Sequence, residues 1–132
     1  MPSKPHSPRV VRALGDYLAA WRWRRAVEHE LRPLALTLTQ WLVLDACAAL
    51  DVEDGELPSQ RAVAERIELD AMTVSQVMKT LAERELVSRA PDVTGRAYRL
   101  LVTHEGRELL QAAKAHVEAG TRASERRRAP SR

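Results

Sequence analysis

The segment DAMTVSQVMKTLAE, Asp70 to Glu83, separates its side chains by type. At about 100° per residue, Val74, Val77, Met78 and Leu81 fall on one face of a helix, and Met72, Gln76, Lys79 and Glu83 fall on the other. Thr73, Ser75 and Thr80 flank the second face. A Gln side chain can pair with both hydrogen-bonding edges of an adenine. Thr and Ser serve several base edges or phosphates, and Lys neutralises a phosphate. Helix N-termini attract phosphate as well. Thr73, Ser75, Gln76 and Lys79 are therefore candidate contacts to nucleic acid. An ordinary solvated helix face carries the same pattern, so the spacing alone leaves both readings open. Arg96 and Arg99, downstream, are candidate cations for a nucleic-acid groove or for the charged edge of a hairpin. Arg61 and Arg89 are weaker phosphate candidates.

Other chemistries lack their residues. The sequence has no phosphate-binding loop, no nucleophile elbow and no HExxH pair, and it does not read as an enzyme. His6, His29, His104 and His116 show no zinc-ligand spacing, and no metal or cofactor is expected. Asp51, Glu53, Asp54 and Glu56 form a dense acidic run whose liganding pattern is incomplete for calcium. The only cysteine, Cys47, lies among Ala46, Ala48, Ala49 and Leu50, which suits an inert core thiol better than an oxidant sensor. Hydrophobic residues make up 45% of the 132 and charged residues 30%, enough for one globular core. The net charge of +3 is small but unevenly placed, with acidic residues concentrated between Asp51 and Asp70 and basic ones toward both ends. No apolar run reaches the roughly 20 residues of a membrane helix. The expected location is the cytoplasm.

The elements that must carry these residues follow from periodicity and punctuation. Met1 to Ser7, with Pro2 and Pro5, is expected to be disordered. Pro8 suits a helix start after Ser7. Val10, Leu14, Leu18 and Trp21, continued by Val27 and Leu31, predict a long first helix with one apolar stripe, ended by Pro33. Thr37 caps a second, buried helix through Ala49. Asp51 to Glu56 is expected to be an acidic loop. Pro58 and Ser59 open a short third helix, and Asp70 caps a fourth over residues 71–83. Residues 87–102 predict a β-hairpin turning between Pro91 and Gly95. Thr103 caps a last helix, expected to end near Gly120. Residues 121–132, with Arg126 to Arg128 and Arg132, read as a basic disordered tail. The result is a single mainly α domain over residues 8–120. Two closely spaced helices followed by a hairpin make it a winged helix-turn-helix.

Three stretches together resemble the MarR family of transcriptional regulators: LTLTQWLVL at Leu36 to Leu44, SQRAVAERIELDAMTVSQVMKTL at Ser59 to Leu81, and LVSRAPDVTGRAYRLLVTHEGRELL at Leu86 to Leu110. The resemblance implies a homodimer built by terminal helices, a recognition helix (71–83) in the DNA major groove, and a wing (87–102) whose Arg96 reaches the minor groove. It implies repression of transcription and a small-molecule effector held between the dimerisation helices and the winged lobe. Trp21, Arg25 and Trp41 are candidates for lining that pocket, as aromatic walls and a cation, or else for core packing and surface charge. The sequence departs from the family pattern at Thr94, where many members carry Asp, and at Glu85, where many carry Gly. It also stops soon after Gly120, where the family usually adds a further dimerisation helix. A winged helix that binds protein instead of DNA is the competing reading.

Overall fold

The computed structural model describes residues 4–91 and 98–128. Its order is α1 (Pro8–Leu31), a 3-10 turn (Arg32–Leu34), α2 (Leu38–Asp54), α3 (Gln60–Ile67), α4 (Ala71–Glu83), β1 (Val87–Pro91), β2 (Tyr98–Val102) and α5 (His104–Arg128). This is the expected mainly helical winged helix-turn-helix.

Side-chain caps set the starts of these helices. Ser7 Oγ accepts from the Val10 N–H, Ser59 Oγ from Ala62 and Asp70 Oδ1 from Thr73. At α2 the cap is reciprocal: Thr37 Oγ1 accepts from the Gln40 N–H at 3.0 Å, and Gln40 Oε1 accepts from the Thr37 N–H at 3.1 Å. Two donors that the first helical turn cannot satisfy internally are thereby paired.

Two clusters form the interior. Val43, Leu44 and Cys47 of α2 pack with Val63 of α3, with Val74, Met78 and Leu81 of α4, and with Leu86, Val87, Leu100 and Val102 of the hairpin segment. The second cluster joins Val27 and Leu31 of α1 to Leu36, Leu38 and Ala113. α1 and α5 run antiparallel, as Trp23 Nε1 donates to Thr121 Oγ1 at 3.0 Å while Glu30 faces His116. Gly120 permits their approach, since a Cβ there would stand 2.8 Å from the Val27 Cα.

Three expectations are corrected. The apolar residues of α1 do not make one stripe. At about 100° per residue, Val10, Leu14, Tyr17, Leu18 and Trp21 share a face about 100° wide, and Val27 and Leu31 lie outside it. Only the second set is buried, while the first is exposed. The acidic loop at 51–56 is mostly helix: α2 continues to Asp54 and stops at Gly55, whose φ is 71°. Arg107 and Arg66 reach Asp51 and Glu53, offsetting carboxylates that are unfavourable at a helix C-terminus. Finally, α5 does not end near Gly120 but runs on to Arg128, with Ser124 buried against α1's side of the molecule. Residues 1–3 and 129–132 lie outside the described residues.

Glu85 stands at a left-handed position, φ 61°, directly after α4. Its N–H donates to the Ala82 carbonyl, and the next N–H, of Leu86, donates to the Leu81 carbonyl. A β-carbon makes this conformation cost about 1–2 kcal/mol. Part of that gain is lost through the greater freedom of unfolded glycine. Glu85→Gly is expected to raise stability by about 0.5–1 kcal/mol, read as a higher urea midpoint at unchanged slope. A lower midpoint would show that the Glu85 side chain holds something the backbone does not.

Candidate nucleic-acid interface

α4 is held from behind by its apolar face and offers the opposite face to solvent. Val74, Met78 and Leu81 are fully buried; Ser75, Gln76, Lys79 and Glu83 are exposed. The sequence-derived face is thus assembled as expected, with one difference at Thr73. Its hydroxyl donates to Asp70 Oδ2 at 2.7 Å while its N–H donates to Oδ1 at 2.8 Å. These two bonds hold the Asp70 carboxyl below the usual carboxylate range. Thr73 therefore completes the cap and has only acceptor capacity left.

Sequence reasoning put Met72 on the outward face but left it out of the candidate contacts. It is 72% exposed at the start of α4, one turn before Gln76. An apolar side chain in that place suits a thymine methyl group. The available signal was a large apolar residue on the polar face of the helical wheel.

The cations divide by what already holds them. Arg61, on α3, pairs with Glu65 at 3.1 Å, and both side chains are well exposed. Such a pair contributes little and is readily exchanged for a phosphate. Arg89, on β1, sits over the exposed Tyr98 ring at 5.9 Å from its centroid. Arg99, whatever it contacts beyond the fold, has a structural role of its own. Its Nη1 donates to the Leu57 carbonyl at 3.2 Å, and its backbone bridges to Ser59. Together with the Leu100 N–H donating to the Pro58 carbonyl, this fastens the hairpin to the segment before α3. Arg96 and Thr94, at the expected wing tip, lie outside the described residues.

The three candidates for an effector pocket do not meet within one chain. Trp41 lines a cleft of about 540 Å³ between α2 and α5, with Asp45, Arg107, Leu110, Lys114 and Val117. Arg25 lines a separate depression that includes His29 and Arg127. Trp21 belongs to the exposed stripe of α1. Cys47 is completely buried, and burial pushes its thiol up to about 12. A thiol that stays protonated is a poor nucleophile. Among the described residues no group of three or more His, Cys, Asp or Glu is placed to hold a metal ion. Nor is any single helix among them long and apolar enough to cross a membrane.

No protein-family model matches the chain. Solved structures do. A MarR-family transcriptional regulator from Rhodococcus sp. RHA1 is 29% identical, with a TM-score of 0.75 over 88% of this chain and 79% of that one. CouR from Rhodococcus jostii RHA1, solved bound to p-coumaroyl-CoA, is 31% identical, with a TM-score of 0.69 over 89% and 79%. MepR from S. aureus, solved as a DNA complex, shares the fold at 17% identity, with a TM-score of 0.72 over 85% and 78%.

Proposed function

The chain belongs to the MarR family of transcriptional regulators, and from that premise we propose that it binds duplex DNA as a homodimer and represses transcription by covering a promoter. The observation that carries this reading is the exposed face of α4. Met72, Ser75, Gln76 and Lys79 stand free of the core, on a helix backed by α3 and followed by a wing. In this docking, α4 enters the major groove from its N-terminal end. Gln76 and Met72 read base edges, while Ser75 and Lys79 meet bases or phosphates. Arg96 serves the adjacent minor groove, and Arg61 and Arg89 meet flanking phosphates. The protein acts in the cytoplasm, by binding and not by catalysis. MepR, which shares this fold, was solved on DNA.

A small-molecule effector completes the reading, supported by CouR with its bound p-coumaroyl-CoA. The cleft beside Trp41 is lined by that aromatic ring, by the cations Arg107 and Lys114 and by the carboxylates Asp45 and Glu118. That chemistry suits an aromatic compound carrying polar groups.

Titration of fluorescent duplex from the gene's own upstream region, at two salt concentrations and with excess unrelated duplex, tests the central claim. Tight binding that survives the competitor and weakens steeply with salt is expected. Absence of binding at low salt by a folded dimer would favour a protein-interaction module. Within the complex, Gln76→Ala is expected to lose about 1–3 kcal/mol of discrimination at one base pair, whereas Lys79→Ala weakens all sequences alike and lowers the salt slope by about one. Arg96→Ala is expected to weaken all sequences in the same manner. Equal behaviour of these variants and the parent would rule out this docking.

A further inference from the structure

Arg84, the residue that ends α4, reaches across to the opposite side of the lobe. Its Nη1 donates to the Ala35 carbonyl at 2.7 Å and lies 3.4 Å from Gln40 Oε1; its Nη2 donates to the Leu34 carbonyl at 3.4 Å. Leu34 and Ala35 close the turn between α1 and α2, and Ala35 itself is left-handed, φ 52°. Gln40 Oε1 also accepts the Thr37 N–H of the α2 cap. One planar guanidinium thus ties the end of α4 to the junction of α1 and α2. A lysine, with a single point of charge, cannot fork in this way. The next residues of the same chain are tied to α5. The Glu85 carbonyl accepts the Thr103 hydroxyl at 2.7 Å, and the Leu86 carbonyl accepts the Thr103 N–H at 3.0 Å. The base of α4 is therefore pinned to the α1–α2 junction on one side and to Thr103, just before α5, on the other, while its N-terminal end is exposed.

We infer that Arg84 is a positioning residue for DNA: it fixes the angle of α4 against the α1–α2 junction, and so sets which spacing of half-sites the dimer accepts. The inference rests on the homodimeric docking proposed above. Its force lies in leverage. α4 has 13 residues, or about 20 Å of helix. A tilt of about 5° at its pinned base moves the far end by about 1.7 Å, and two copies moving oppositely change the separation by about 3.4 Å. That equals the rise of about one base pair. Adding a base pair also turns the second half-site by about 35° around the duplex. Without the fork, α4 can follow the translation, and the turn, which exceeds a tilt of about 5°, is followed in part. Arg84 touches no base, so base preference at each half-site is expected to stay as in the parent.

The test begins with selection of preferred duplexes from a randomised library by the parent protein. The two half-sites are then moved apart or together by one base pair, and affinities are measured for the parent, Arg84→Gln and Arg84→Lys. The parent is expected to lose at least about tenfold on either change, and both variants less than about threefold, with the same bases preferred within each half-site. A melt followed by circular dichroism reports whether each variant folds. If Arg84→Gln does not fold, Arg84→Lys is judged by the same two thresholds. A folded variant that keeps the tenfold loss overturns the inference. A parent that binds single half-sites and paired ones equally well overturns the dimeric docking itself, a different failure that the parent's own data reveal.

Discussion

Leu18→Asp is expected to yield a folded monomer with duplex affinity lowered by about 10²–10⁴-fold. Leu18 belongs to the α1 stripe made with Val10, Leu14, Tyr17 and Trp21. Among the described residues nothing covers this stripe within one chain: Tyr17 is 64% exposed, Leu18 48% and Trp21 47%. A contiguous apolar face of this kind ordinarily marks an association surface. Its side chains belong to neither interior cluster, so the substitution leaves both cores intact. It does place a carboxylate from each copy on the apolar face that association would bury. Burying an unpaired charge costs far more than the lost leucine contacts. A monomer then holds the duplex through one half-site, and the linked second contact disappears. Light scattering on a sizing column reports the mass, circular dichroism the fold, and duplex titration the affinity. A variant that stays dimeric would move the interface elsewhere, with the C-terminal half of α5 as the next surface to examine.

Gly106→Ala is expected to have the largest effect on stability. Gly106 sits in the first turn of α5, directly against the start of the hairpin. A Cβ at this position would collide with the Leu86 carbonyl oxygen and lie 2.8 Å from Val102 Cγ1. The first obstacle is backbone, and it is already engaged: the same carbonyl accepts the Thr103 N–H. Gly106 also donates its own N–H to the Thr103 hydroxyl. The helix must shift as a body, and these bonds shift with it. The cost is expected to be about 3 kcal/mol or more, seen as a melting temperature lower by about 10 °C or more. The sign is opposite to that of Glu85→Gly, although the two positions are close in space. At Glu85 the strain comes from the chain's own φ; at Gly106 it comes from a neighbouring strand. A parent-like melt for Gly106→Ala would mean that α5 does not approach Leu86 this closely in solution. Because Leu86 follows the base of α4, a destabilised but folded variant should also bind duplex more weakly.

Much of this protein is legible from neighbours in sequence. Thr37 with Gln40, Ser59 and Asp70 announce their helices because a capping side chain acts on an N–H only two or three residues away. The inward face of α4 follows from a period of 3.6 for the same reason. The left-handed Glu85 could be anticipated from the place it occupies between a helix and a strand. All of these depend on interactions within one or two turns, and the residue types alone determine them.

The remaining features depend on distances that sequence spacing does not encode. The helical period separates Val10 from Val27, but only the placement of α5 decides which of the two faces is buried, since Gly120 lets the two helices close where Val27 stands. Gly120 itself reads as a helix end until α1 is placed beside it. The acidic residues at the end of α2 read as a loop until Arg66 and Arg107 arrive from other helices. Arg84, Arg89 and Arg99 are equivalent as letters. Arg99 holds the Leu57 carbonyl, Arg84 holds those of Leu34 and Ala35, and Arg89 lies over Tyr98 at the surface. Sequence thus determined where the helices begin and which face of α4 turns inward, because these are local matters of backbone donors and of side-chain direction. Tertiary structure alone decided which cations are committed to the fold, which apolar face is left uncovered and where a β-carbon has no room. Each of those turns on an atom tens of residues away in the chain and within a few ångströms in space.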